Sequence, residues 1–380
     1  MTAVTDVFDA KEFYFPGPPT GLFRLGVHPR MEELDLRHSH WLRQWARPLC
    51  ADEEEFVDYL GQRNGSYGFY SHPACPDDRI LTIVNLYALL TILDDYYADP
   101  LKLGADPEGA LVMAERLSLL HETGEFPPDC LFSQAFHQLD TELRAIMPPR
   151  QKERCNKLLR DFYHGCAREV PSRMQRAVLE KDPYLNVRKD TIGCHWILGF
   201  SEYALGIDLT DELQCSADLR KLNFLITEHM IVLNDLFSFR KELRHGDLIN
   251  SVVSACRSQG ITLQESVNRA HKHLGDLEKA IAATQMSLLD GEFVDNPSVQ
   301  AYVHDVSSIP AATWYWQYAT TRYHGGPGYV WDGNTKGTIN IADRYTVYSP
   351  PRMPPPDKQS TIRNPCTPTP NGWREGFWLA

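Results

Sequence analysis

The chain has 380 residues, 43% hydrophobic and 23% charged, enough for one large globular domain or two ordinary ones. Its formal net charge is −12, and neither a basic patch nor a basic tail is evident. A nucleic-acid or anionic-membrane partner is therefore not expected, and an anionic substrate would have to be met by local cations or metal ions.

Residues 1–27 are rich in Pro, Gly and Phe without a clear period and read as an irregular N-terminal strap. Met1 to Ala10 shows no basic start followed by an apolar run, and no stretch approaches the ~18 consecutive apolar residues of a membrane helix. From 28 to 325 apolar residues recur at three and four, which predicts an α-helical domain. The expected helices lie near 30–46, 52–63, 77–98, 106–122, 132–146, 150–168, 172–181, 186–205, 216–245, 262–288 and 295–324. Two stretches, Asp77–Leu93 and Leu222–Leu233, are apolar on nearly every face and should form a buried central pair. After Gly325 the composition shifts to Gly-Pro-Gly, Pro350-Pro351 and the triplet Pro354–Pro356, so 326–380 reads as a non-helical tail, disordered or draped over the bundle. Within it, Asp343–Tyr348 could be a short extended segment. The nine cysteines stand singly with no CxxC or zinc spacing, which suits reduced thiols in a cytoplasmic protein.

Two clusters of oxygen ligands follow the two apolar stretches. The first is Asp94-Asp95-Tyr96-Tyr97-Ala98-Asp99. An Asp pair alone is ordinarily a solvated helix end. Here the carboxylates crowd at the mouth of an apolar helix, where they repel one another and need a cation. The second is Asn234-Asp235-Leu236-Phe237-Ser238-Phe239-Arg240-Lys241-Glu242. Asn234, Ser238 and Glu242 fall within about 80° of arc on one helix face, giving a column of amide, hydroxyl and carboxylate oxygens. Such hard ligands suit Mg²⁺, which keeps several waters and shares its shell with phosphate oxygens. The two clusters together describe a two-sided cage for a diphosphate.

These clusters resemble the aspartate-rich motif and the NSE triad of class I terpene synthases in their bacterial and fungal form. ILDDYYAD looks like the variant with two adjacent aspartates and a third acid. NDLFSFRKE matches ND-x-x-S-x-x-x-E at every defined position, including the Lys before the Glu. Arg188 stands 46 residues before Asn234, where the family keeps a diphosphate-sensing arginine. Arg322-Tyr323 looks like its terminal Arg-Tyr pair, and Trp316 precedes Arg322 by six, as an aromatic commonly does there. The resemblance covers roughly 25–325 and leaves the tail unaddressed.

The resemblance implies an all-α bundle around an apolar pocket and a Mg²⁺-dependent cyclase acting on an acyclic prenyl diphosphate. Farnesyl diphosphate is the first choice and geranylgeranyl diphosphate the second, with geranyl diphosphate also open. It implies metal ligands at Asp94, Asp99, Asn234, Ser238 and Glu242, with Asp95 either a ligand or an ion-pair partner. About three Mg²⁺ ions are expected, with Mn²⁺ able to substitute. Arg188, Lys241, Arg322 and Tyr323 would contact diphosphate, since guanidinium forks fit phosphate oxygens and Lys241 adds a point charge. Tyr87, Leu90, Thr91 and Trp316 are expected to line the cavity. Trp196, Phe200, Trp314 and, more weakly, Phe69 are further candidates, because aromatic faces stabilise cations by roughly 0.5–2 kcal/mol. Thr191, Ile192 and Gly193 would form a helix break that relays diphosphate binding. A homodimer is left open. The alternatives are a prenyltransferase or prenyl diphosphate synthase on the same bundle and a catalytically silent helical scaffold. The lack of a second aspartate-rich motif weighs against the synthase, and the filled metal and diphosphate positions weigh against the scaffold.

Overall fold

A computed structural model describes residues 8, 10–125, 130 and 132–350, apart from the side chain of Lys181. Cys366 and the prolines beyond 350 lie outside the described residues. Fourteen α-helices and one two-stranded sheet occupy that span. In chain order they are β1 (Glu12–Phe15), α1 (Met31–Trp45), α2 (Glu53–Gln62), α3 (Tyr67–Ser71), α4 (Asp77–Ala98) and α5 (Pro107–Thr123). Next come α6 (Ser133–Ile146), α7 (Pro149–Met174), α8 (Lys181–Thr191), α9 (Cys194–Leu205), α10 (Thr210–Cys215) and α11 (Ala217–His245). The chain closes with α12 (Ser251–Gln259), α13 (Leu263–Asp290), α14 (Pro297–Ala319) and β2 (Gly337–Asn340).

The two apolar stretches become α4 and α11 and carry the ligand clusters at their C-terminal ends. On α4, Ile83, Val84, Leu86, Ala88, Leu89 and Leu93 are all fully buried, because α1, α3, α6, α7 and α9 pack around it. By length and composition α4 could cross a membrane, yet 72% of its apolar window is covered by the rest of the chain. Each buried Leu, Ile or Val contributes about 1.5–3 kcal/mol, which anchors the helix that presents Asp94 and Asp95. On α11, Ser216 caps the start through Leu219 N–H and Gly246 ends it at φ 77°. This is the Ser-first, Gly-last asymmetry that helix termini favour.

Several boundaries differ from expectation. The helix expected at 150–168 runs on through Pro171 as α7 to Met174, and the rest of the expected 172–181 helix is non-helical up to the start of α8. The proline sits in the final turn, so only one backbone bond is lost, and the helix ends three residues later. The stretch 186–205 is two helices, parted at Ile192-Gly193. Gly193 has φ +82°, and a Cβ there would lie 2.7 Å from the Trp196 ring. The last helix stops at Ala319, and Arg322 and Tyr323 lie in the turn beyond it. Short α3, α10 and α12 went unseen, since five to nine residues give too little periodicity.

The strap and the tail are coupled, which the sequence pattern did not reveal. Glu12–Phe15 pairs antiparallel with Gly337–Asn340, in the register Phe13↔Ile339. The extended segment thus lies at 337–340, ahead of the expected 343–348, and Thr338 also bridges Ser349. A second apolar core forms there from Phe8, Phe13, Phe15, Phe237, Phe239, Trp314, Tyr318, Ile339, Ile341 and Tyr348. The tail therefore packs against α11 and α14 as far as it is described.

Candidate active site

A cavity of about 910 Å³ opens between α4, α11 and the turn after α14. Its lining includes Tyr87, Leu90, Thr91, Asp94, Asp95, Asp99, Arg188, Trp196, Asn234, Lys241, Glu242, Trp316, Arg322 and Tyr323. The structure thus brings to one cavity every site residue expected from the sequence except Ser238. That serine is buried behind the wall, 2% exposed, and accepts from Asn250 Nδ2 at 3.3 Å. Three of the further aromatic candidates lie outside the cavity lining. Phe69 and Phe200 are fully buried in the main core, and Trp314 donates to Glu278 at 3.0 Å in the second core. Aromatic identity alone cannot tell the cavity wall from solid packing.

On the α4 flank, Asp95 is gripped by two cations. Arg322 donates from Nη1 at 2.5 Å and Nη2 at 2.8 Å, a two-pronged pair, and Lys241 Nζ lies 3.2 Å away. Burial alone would raise the Asp95 pKa, but Arg322 and Lys241 hold it well below the usual carboxylate range. Asp94 has a longer contact with Arg322 Nη2, 3.4 Å. Asp99 lies beyond the end of α4, where its carboxylate accepts from Leu101 N–H at 2.9 Å and sits 4.0 Å from Lys102. Asp99 is the cap residue just beyond α4, its N–H bonded to the Asp95 carbonyl.

On the α11 flank, Asn234 Oδ1 accepts from Arg188 Nη2 at 3.0 Å, and its Nδ2 donates to the Tyr323 hydroxyl at 3.0 Å. Arg188 also donates to Thr191 Oγ1 at 3.3 Å, while its buried Nε has no partner. Burial opposes its charge, but Tyr184, Glu169, Asp235 and Glu242 outweigh that and raise its pKa. Glu242 accepts from Asn250 Nδ2 at 2.8 Å. Burial, followed by the neighbouring Asp247, pushes its carboxyl up to about 7. Lys241 and the adjacent Arg322 and Tyr323 thus link the two flanks, and Arg188 lines the same opening from the α11 side.

Sequence reasoning missed Asn250, which donates to Ser238, to Glu242 and to the Asp235 carbonyl at 3.1 Å. Its signal was faint, an Asn after Gly246-Asp247 where a helix cap is plausible, and it does cap α12 through Val252 N–H. Gln62 was missed as well. Its Oε1 accepts from Arg322 at 3.0 Å across a span of 260 residues, a distance no local pattern reports.

The oxygen donors suit a hard divalent cation. Two observations agree with such a cation. The Glu242 carboxyl, raised by burial and by the neighbouring Asp247, sits where a bound cation would favour its charged form, and the donors at the mouth comprise carboxylates, an amide and a hydroxyl. Among the described residues no three His, Cys, Asp or Glu side chains form a metal cluster by themselves. Waters and phosphate oxygens would complete such a shell.

The family described as terpene synthase family 2, C-terminal metal binding, matches residues 85–280. The chain belongs to this family. It is a class I terpene synthase, a carbon–oxygen lyase, and the match implies use of divalent metal. A microbial terpene synthase-like protein 13 of Selaginella moellendorffii is 25% identical over 304 residues, covering 79% of this chain and 84% of that protein. Pristinol synthase of Streptomyces pristinaespiralis is 33% identical over 203 residues, covering 49% of this chain and 51% of that protein. Among solved structures, germacradien-4-ol synthase from Streptomyces citricolor aligns at a TM-score of 0.69 with 17% identity, over 78% of this chain and 96% of that one. Linalool/nerolidol synthase from Streptomyces clavuligerus aligns at 0.66 with 21% identity, over 80% and 99%. These likenesses establish the all-α terpene synthase fold of this chain.

Proposed function

We propose that this terpene synthase ionises an acyclic prenyl diphosphate with the help of Mg²⁺ and cyclises the resulting carbocation, with farnesyl diphosphate as its substrate. The observation that carries the reading is that Asp94, Asp95, Asp99, Asn234 and Glu242 line one cavity together with Arg188, Lys241, Arg322 and Tyr323. Asp94, Asn234, Ser238 and Glu242 would hold the metal, with Asp99 at the rim. Bound Mg²⁺ would supply positive charge to the departing diphosphate. Arg188, Lys241, Arg322 and Tyr323 would donate to its oxygens and keep it at the mouth after the carbon–oxygen bond breaks. Ser238 reaches a metal in this scheme when Asn250 gives up its hydrogen bond to the hydroxyl.

Behind the mouth, Tyr67, Tyr87, Phe162, Trp196 and Trp316 present rings to the cavity. Trp196 packs edge-on to Tyr87 at 4.8 Å, and Trp316 edge-on to Tyr323 at 5.8 Å. Such faces exclude water and steady a cation. Support for a fifteen-carbon substrate comes from relatives named sesquiterpene synthase 6 of Postia placenta and alpha-muurolene synthase of Coprinopsis cinerea. The linalool/nerolidol synthase has also been solved with 2-fluorogeranyl diphosphate, which keeps a ten-carbon substrate in the test. The test is incubation of the full chain with geranyl, farnesyl and geranylgeranyl diphosphate, followed by mass spectrometry of an organic extract. A cyclic fifteen-carbon product from farnesyl diphosphate alone is expected. A product from one of the other two would overturn the chain-length assignment.

A further inference from the structure

Two buried Asp–His–Tyr chains run through the bundle. In one, His121 Nδ1 meets Asp140 Oδ1 at 2.9 Å and Nε2 meets the Tyr163 hydroxyl at 2.8 Å. In the other, His72 Nδ1 meets Asp305 Oδ2 at 2.9 Å and Nε2 meets the Tyr87 hydroxyl at 2.6 Å. A carboxylate accepts only, so in each chain Nδ1 carries the hydrogen and Nε2 accepts from the phenol. The chains look alike but differ in two respects.

The first difference is charge. Asp140 is already neutralised, by Lys152 Nζ at 2.7 Å and by the guanidinium of Arg144. Asp305 Oδ2 accepts from His72 Nδ1–H, and its second oxygen, Oδ1, is buried without a hydrogen bond among the described residues. A proton arriving at His72 would form an ion pair with a carboxylate that, among the described residues, no Lys or Arg side chain pairs with, whereas one arriving at His121 would meet Lys152 and Arg144. The second difference is place. Tyr163 lies in the core outside the cavity lining, packed against His121, Phe136 and Phe162. Tyr87 belongs to the cavity wall, between Tyr67 and Trp196, among otherwise apolar ring faces.

We propose that Tyr87, backed by His72 and Asp305, is the base that ends the carbocation cascade. The proposal rests on the cyclase reading above. In the closing step, a C–H bond next to the cationic carbon breaks and its electron pair becomes the new C=C bond. The proton goes to the Tyr87 oxygen as the phenolic proton passes to His72 Nε2. The imidazolium so formed pairs with Asp305, and the proton returns to solvent after product release. The phenol stays neutral throughout, in keeping with the burial that pushes its pKa well above the ordinary value. Tyr87 is the catalytic residue of this step, while His72 and Asp305 act through it as positioning residues.

The test compares Tyr87→Phe, Asp305→Asn and Tyr163→Phe with the wild type, reading released diphosphate, product ratios and thermal midpoint in the same samples. Asp305→Asn can keep the hydrogen bond to Nδ1–H but cannot pair with an imidazolium, so a merely structural role would leave its products unchanged. Diphosphate release is expected to persist in all three variants. In Tyr87→Phe and Asp305→Asn the wild-type major product should fall against the others by roughly tenfold, a modest part of the ~10²–10⁴ a positioned base can supply. Tyr163→Phe should lower the midpoint and leave the ratio alone. Unchanged ratios in Tyr87→Phe and Asp305→Asn would overturn the relay. Absence of diphosphate release from the wild type would instead overturn the cyclase reading beneath it.

Discussion

The two flanks of the cavity mouth carry similar ligands but are satisfied differently. On the α4 flank the negative charge of Asp95 meets Arg322 and Lys241 directly. On the α11 flank Glu242 meets the amide of Asn250, and its carboxyl is pushed up to about 7. Asp95 is ion-paired at short range by two cations, while Glu242 is buried, bonded to a neutral amide and next to Asp247, with Arg188 only partly offsetting this. Under the proposed function, the difference makes the α11 flank the place where a bound metal would change the energetics most, and gives Asp95 the task of holding Arg322 and Lys241 in place.

The largest effect is expected from removing what braces α11. Arg240, buried on that helix, donates to Thr346 Oγ1 and to the Asp343 carbonyl, each at 2.6 Å, and both partners lie in the tail. Deleting 326–380 would strip these bonds and expose the pocket filled by Ile339, Ile341 and Tyr348. The loss should be about 5 kcal/mol or more, read as a lower chemical-denaturation midpoint. An unchanged midpoint would instead show that the bundle does not need 326–380.

Next in size, Glu242→Gln, Asn234→Ala and Asp94→Ala should each cut turnover by roughly 10³-fold, the scale of losing a key electrostatic group. Their far-ultraviolet circular dichroism should stay at the wild-type level. Full activity in any one would break the two-flank arrangement.

A third prediction concerns the turn that carries Arg322 and Tyr323. The neighbouring His324 is buried, bonds the Gln317 carbonyl at 2.7 Å and stacks on Tyr329 at 4.3 Å. Burial holds its imidazole down to about 4, so the folded chain binds fewer protons there than the unfolded chain does. The stability this group contributes is present above pH ~6.5 and is lost as pH falls towards about 4, on the order of 3 kcal/mol. Thermal midpoints between pH 7 and 4 should fall less steeply in His324→Gln than in the wild type. Parallel curves would remove His324 from the account.

The smallest effect is assigned to Asp95→Asn. It should lower kcat/KM by roughly tenfold, equivalent to ~1.4 kcal/mol, mostly through a higher KM, because Arg322 and Lys241 lose their anchor. A loss as deep as that of Glu242→Gln would make Asp95 a metal ligand and erase the contrast between the flanks.

How much of this was legible follows physical reach. The motifs on α4 and α11 could be read because their spacing is local to one helix and their helices are unusually apolar. The break at Ile192-Gly193 was implied by the resemblance, while the apolar pattern ran through it as one helix over 186–205. Asn250, Gln62 and the His72–Asp305 pair were not, since their partners lie far along the chain or in another helix. Ser238 sits on the expected face, yet Asn250 covers it, and no spacing rule predicts an intervening side chain. The β1–β2 pair was hidden because four-residue strands at opposite ends of the chain show neither length nor a hairpin turn.

The most direct test of the central claim is diphosphate release from farnesyl diphosphate, measured for the wild type and for an Asp94→Ala/Glu242→Gln double variant, each with Mg²⁺ and with EDTA. The account predicts release only from the wild type with Mg²⁺. Comparable release in EDTA, or from the double variant with Mg²⁺, would contradict ionisation by metal held between the two flanks.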